Sequence, residues 1–149
     1  MVRVLYYLAI YLFFIGLAIS SYLLIVYTSN APLPCSLSHG CDEVRYSPYS
    51  HILGVPVPLF GVGFYLLAII LSFISLKKHR FRYLFAVWLL TAWGLLFASY
   101  LTYLEAYVIQ AWCSWCVLNA VVNVLTFILV TRVVWSTGKI RTVSSILLP

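Results

Sequence analysis

The stretch Cys113-Ser114-Trp115-Cys116 opens an apolar run that continues to Val130 without a single Lys, Arg, Asp or Glu. A run of that kind is long enough to cross a bilayer, which takes roughly 20 mostly apolar residues. A Cys-x-x-Cys pair at the mouth of a membrane-crossing helix points to thiol chemistry at a lipid boundary. The chain has only four cysteines, and the other two, Cys35 and Cys41, fall in its one long polar loop.

Outward from this motif, the whole chain reads as membrane protein. Of its 149 residues 64% are hydrophobic and only 8% are charged, values outside the range of soluble domains. Four segments qualify as spans, at about residues 4–27, 58–76, 83–108 and 114–134. The long loop covers about residues 28–57, and the later turns are short, so neighbouring helices run antiparallel. The expected fold is all-α: one domain over residues 1–149, a four-transmembrane-helix bundle without internal repeats. The first segment is too long for a signal-peptide core and is expected to be retained.

Charge fixes an orientation. Lys and Arg collect on the cytoplasmic side of short loops. Arg3, Lys77, Lys78, Arg80, Arg82, Arg132, Lys139 and Arg141 all fall on one side of a four-span arrangement, and Arg45 alone falls on the other. Both termini are therefore expected in the cytoplasm, and the long loop and the turn near Gln110 outside, at a cell (plasma) membrane. The net charge of +6 is explained by a basic rim against anionic lipid and implies no nucleic acid. All four cysteines then face an extracytoplasmic space, where disulfides persist.

Thiol–disulfide exchange needs a thiolate, a reachable sulfur and a resolving thiol. At a helix start, unpaired N–H groups and the helix dipole favour the thiolate. Cys113 and Cys116 share a helical face; Cys116 is expected one turn deeper, toward a lipid-soluble oxidant, and Cys113 nearer water and a protein sulfur. Cys35 and Cys41, five residues between them, form a bridgeable pair able to bring reducing equivalents from a soluble partner. Four cysteines allow three pairings, and spacing alone does not choose among them. Two plainer readings stand beside this one. The loop pair can be a structural staple with Cys113 and Cys116 as inert apolar side chains. The cysteines, with His39 and His51, can also hold zinc, although only Cys113 and Cys116 have a knuckle-like spacing.

The ordered motifs resemble the vitamin K epoxide reductase family in its bacterial and archaeal branch. They are Cys35 and Cys41, Ser47-Pro48-Tyr49-Ser50, Gly54-Val55-Pro56 leading into Phe60-Gly61, Phe64-Tyr65, Tyr100-Leu101-x-Tyr103-x-Glu105, and Cys113-x-Trp115-Cys116. The resemblance covers residues 22–131 and implies a four-helix bundle around a quinone pocket. It implies that Cys116 lies beside the quinone, that Cys113 exchanges with Cys41, and that Cys35 exchanges with a thioredoxin-like extracytoplasmic protein. A short helix over residues 42–53 is expected to lie across the pocket, with Val44, Tyr46, Tyr49, Ile52 and Leu53 turned to it. Ser47, Phe60, Phe64, Tyr65 and Leu101 match quinone-lining positions, and Asn119 is a further candidate contact.

The implied reaction oxidises thiols outside and reduces a membrane quinone such as ubiquinone or menaquinone, without a metal, in support of disulfide-bond formation. Animal members carry a Thr-Tyr-Ala stretch where this chain has Asn119-Ala120, and an Asn near the position of Val57, so a simpler quinone than vitamin K epoxide is expected. Many bacterial members carry a fused thioredoxin-like domain; no such domain stands before Pro149, so the carrier is expected to be a separate protein. Glu105 is the acid nearest a span and a candidate proton relay, or else an interfacial carboxylate paired with Arg45. Trp112 and Trp115 suit an interfacial belt. Asn119 and Asn123 are expected to bond a neighbouring helix, and Gly16, Gly61, Gly63 and Gly94 to permit close helix approach. A DsbB-type thiol oxidase would do nearly the same chemistry, but with the cysteine pairs in the reverse order; a non-enzymatic protein with a disulfide-held loop and a zinc-stabilised scaffold complete the alternatives.

Overall fold

Apart from Pro58 at a helix start and Glu105 and Arg132 near span ends, the apolar runs carry no proline or charge, and each forms a helix. In the computed structural model, α1 spans Val2–Ser29, α3 Val57–Lys78, α4 Phe81–Tyr103 and α5 Ser114–Leu147. Between α1 and α3 lie a short helix α2 (Cys41–Tyr46), a 3₁₀ turn (Pro48–Ser50) and a hairpin of β1 (His51–Ile52) and β2 (Val55–Pro56). The structure describes residues 2–29, 35, 40–78 and 80–147, with side chains as far as Gly138. Pro34, His39 and most of the residues between Ser29 and Gly40 lie outside the described residues, as do the side chains of Lys139 and Arg141. Among the described residues, four helices are long and apolar enough to cross a membrane.

Helix α1 packs against α3 and α5, and α4 against the same two, which makes a four-helix bundle. Phe13, Tyr65, Val87 and Val130 fill its centre without exposed surface. Leu66, Ile70, Phe73, Leu89, Leu125 and Ile128 face outward, as a lipid-facing surface requires. Close approach is set by small residues. A Cβ at Gly16 would collide with the Tyr65 ring, one at Gly61 would stand 2.7 Å from Ser20 Oγ, and one at Gly94 would collide with Phe64. Gly63 does not share this role, because nothing lies within 4 Å of where its Cβ would be.

Three expectations are corrected here. The third span is not one α-helix: after Tyr103 the chain widens into a π-helical turn, Leu104–Ile109, and stops at Gln110, whose φ of 56° is left-handed. The fourth helix does not end near 134 but runs to Leu147. The segment expected as one short helix over residues 42–53 is three pieces. Asp42 and Glu43 occupy the first turn of α2, where carboxylates suit the dipole. Pro48 then starts the 3₁₀ turn, and the hairpin pairs His51 with Pro56 and Ile52 with Val55. Leu53 and Gly54 form its two-residue turn with φ values of 53° and 80°, as a primed turn requires.

Candidate functional site

The four cysteines gather at one end of the bundle. Cys35 and Cys41 form a disulfide with a Cα–Cα distance of 6.1 Å, whereas Cys113 and Cys116 are free thiols. Cys41 and Cys113 are both buried in the same apolar cluster, with Ala111 and Val44, and Cys35 and Cys116 pack against it. Gly40 makes this approach available. A Cβ there would stand 2.8 Å from Trp112 N and 2.9 Å from Ala111 Cβ, so the chain before Cys41 rests directly on the chain before Cys113.

Cys113 has no exposed surface and lies in one buried cluster with Cys41 and Val44 of α2. Cys116 is half-buried and lines a cavity of about 610 Å³. Cys113 thus shares a buried cluster with Cys41, and Cys116 lines the cavity. The Cys116 thiol hydrogen-bonds Cys113, the Cys116 N–H donates to Cys113 Sγ at 3.4 Å, and the two hold the Cys113 thiol below the ordinary cysteine range despite its burial.

Glu105 is not the exposed or Arg45-paired carboxylate of the plainer reading. It is 4% exposed and lines the cavity, and its Oε2 accepts the Cys113 N–H at 3.2 Å. Its carboxyl also shares a hydrogen bond with the Cys116 side chain. Glu105 stands in the first turn of the π-helical segment Leu104–Ile109, from which it meets the residue that precedes α5. Such turns are frequent at functional sites.

Ser47, Phe60, Phe64, Tyr65, Leu101 and Asn119 all line the same cavity as Cys116. The Ser47 hydroxyl is committed locally, donating to the Val44 carbonyl at 2.7 Å. From the same segment Val44, Tyr49 and Ile52 line the cavity, but Tyr46 and Leu53 do not; they are exposed, Leu53 completely. Tyr65 joins the two asparagines of α5 to α3. Its hydroxyl donates to Asn119 Oδ1 at 2.7 Å and accepts from Asn123 Nδ2 at 2.9 Å. This leaves the Asn119 Nδ2 hydrogens for another acceptor. Trp115 packs on Tyr22, ring centroids 4.8 Å apart, and Trp112 is half exposed.

One wall of the cavity was only partly found in the sequence. Beside the expected Leu101, Leu90, Trp93 and Phe97 line it from α4. Their spacing of three to four residues is the helical stripe that would have found them. A chamber of this volume, mostly apolar with a few convergent polar groups, has the character of a small-molecule site. An apolar wall facing a thiol and a carboxamide donor fits a flat ring that carries carbonyl oxygens. Among the described residues, no three His, Cys, Asp or Glu side chains gather as metal ligands.

A family model, the vitamin K epoxide reductase family, matches residues 7–131. No curated protein matches the chain.

Proposed function

The chain belongs to the vitamin K epoxide reductase family of membrane oxidoreductases acting on thiols, and from that membership we propose that it is a thiol:quinone oxidoreductase supporting disulfide-bond formation. In this reading a separate thioredoxin-like carrier is oxidised at the extracytoplasmic face of the plasma membrane, and a membrane quinone accepts the electrons. The observation that carries the proposal is the division of the inner pair, with Cys113 buried against Cys41 and Cys116 lining an apolar cavity. The distribution of Lys and Arg supports the orientation.

The carrier dithiol attacks the Cys35–Cys41 disulfide at Cys35, and the mixed disulfide resolves to release Cys35 and Cys41 as thiols. Cys41 then attacks Cys113 of an oxidised Cys113–Cys116 pair, and Cys116 leaves as a thiolate. Cys35 resolves the Cys41–Cys113 bond, which restores the outer disulfide and leaves both inner cysteines reduced. Two electrons have then moved from the carrier to the inner pair, and no other reactant is consumed. A quinone, when bound, supplies a two-electron, two-proton acceptor, so ubiquinone or menaquinone suffices. Cys116, Asn119, Phe60, Phe64, Tyr65 and Leu101 are the residues that would hold it. Glu105 lies beside both inner sulfurs and is placed to take the proton that a thiol gives up.

Serine replacement of Cys116 tests this. With a reduced thioredoxin as donor, quinone reduction should stop, while the loop disulfide should still form in the protein before the donor is added. Retained turnover would remove Cys116 from its role and with it the proposed reaction.

A further inference from the structure

Arg45 is the one cation in the loop between α1 and α3 that sequence analysis placed apart from all the others, and it is buried, with 4% of its surface exposed. A guanidinium is costly to remove from water unless its donors are used. Here Nη2 donates to the Val26 carbonyl at 2.8 Å. Val26 belongs to the last four residues of α1, whose carbonyls have no N–H partner within the helix. The guanidinium also lies over two rings, 5.6 Å from the centre of Tyr27 and 5.3 Å from that of Tyr46. Arg45 follows Cys41 by four residues on α2, so both sit on one face of that short helix. An apolar side chain would cover the same spot without fixing a direction. The bond to α1 fixes one, and the seat of Gly40 on Trp112 fixes the opposite end.

We propose that Arg45 is a positioning residue for the exchange between Cys41 and Cys113: by tying α2 to the end of α1 it holds the Cys41 sulfur against Cys113. The inference rests on the disulfide relay described above and adds to it what aligns the relay's inner step.

The test measures how strongly the fold presents one sulfur to the other. In the full-length chain with Cys35→Ser and Cys116→Ser, only Cys41 and Cys113 remain. Equilibration with glutathione and glutathione disulfide exchanges one intramolecular disulfide for two glutathione thiols and gives the effective concentration of the pair. Arg45→Gln should lower it about tenfold, which is about 30 mV for a two-electron couple. Tyr46→Ala, at an exposed position, should lower it about two- to threefold by removing one ring from the guanidinium, and it carries the test should the Arg45 variant not fold. The same two substitutions should leave the Cys113–Cys116 equilibrium unmoved in a Cys35→Ser/Cys41→Ser background. An unchanged effective concentration overturns the role of Arg45, and so does an equal fall of both pairs, which would mean general loosening. Should Cys41 and Cys113 fail to bond even with Arg45 in place, the relay itself is lost.

Discussion

Glu105 accepts the backbone N–H of Cys113 at 3.2 Å, which ties the π turn at the end of α4 to the residue that opens the Cys-x-x-Cys motif. The bond does two separate jobs. It satisfies an N–H just before a helix start, and it brings a carboxyl group to the two inner thiols. Glu105→Gln separates them, because an amide oxygen accepts the same N–H but cannot take a proton. Exchange between Cys41 and Cys113 should survive, while quinone reduction should fall on the order of 10²-fold, the usual worth of a placed acid–base group. Steady-state rates across pH check this. Turnover and a pH profile like those of the unaltered protein would make Glu105 a structural acceptor only.

The Cys113 thiol is held below the ordinary cysteine range first by the hydrogen bond from the Cys116 side chain. Lowering a thiol's pKa stabilises the thiolate, hence the reduced pair, and makes the corresponding disulfide a stronger oxidant. As pH rises, the first proton of the reduced inner pair should leave below the ordinary value of about 8.5. Thiolate absorbance, referred to Cys113→Ser, measures the midpoint. Cys116→Ala removes the principal hydrogen bond and should move the Cys113 midpoint upward; a midpoint indifferent to that change would contradict the assignment.

Tyr65 is buried at the bundle centre, and its hydroxyl has one donor and one acceptor, Asn123 Nδ2 and Asn119 Oδ1. Tyr65→Phe leaves both amides short of a partner, which costs about 1–3 kcal/mol. Thermal unfolding in detergent should register that loss. The Asn119 amide is also no longer held, so KM for quinone should rise several-fold while exchange among the four cysteines stays as it was. An unaltered melting temperature together with an unaltered KM would leave the Tyr65 pair of bonds without consequence.

What was readable in the sequence follows from which forces are local. The four spans are legible because burial in lipid demands about 20 apolar residues in a row, and the chain supplies that run four times. The motif Cys113-Ser114-Trp115-Cys116 announces itself by spacing. The complete burial of Cys113 does not, because it depends on where α2 comes to rest, a contact between residues some 70 positions apart in the chain, Gly40 and Trp112. The π turn had no sequence signal either: Leu104–Ile109 carries no Pro or Gly, and the bond that joins it to Cys113 is made by Glu105 within it. The hairpin was present as Leu53-Gly54, yet its apolar neighbours read as one face of a helix.

Gly40 offers the most local way to disturb the meeting of the two cysteine pairs. Its φ of −87° suits any residue, so Gly40→Ala introduces no backbone strain. The effect is purely steric. The new methyl would stand 2.8 Å from Trp112 N and 3.0 Å from Trp112 O, and backbone atoms do not swing aside as a flexible side chain would. The chain before Cys41 must lift from the chain before Cys113 by several tenths of an ångström or more. Exchange demands in-line approach of sulfurs, and a displacement near 1 Å slows such a step on the order of 10²-fold. In the Cys116→Ser chain the Cys113 thiolate can displace Cys35 from the Cys35–Cys41 disulfide, and acid-quenched trapping of the resulting Cys41–Cys113 bond should show that slowing. Formation of the trapped bond at the parental rate would mean that the two segments meet in some way other than the seat of Gly40 on Trp112.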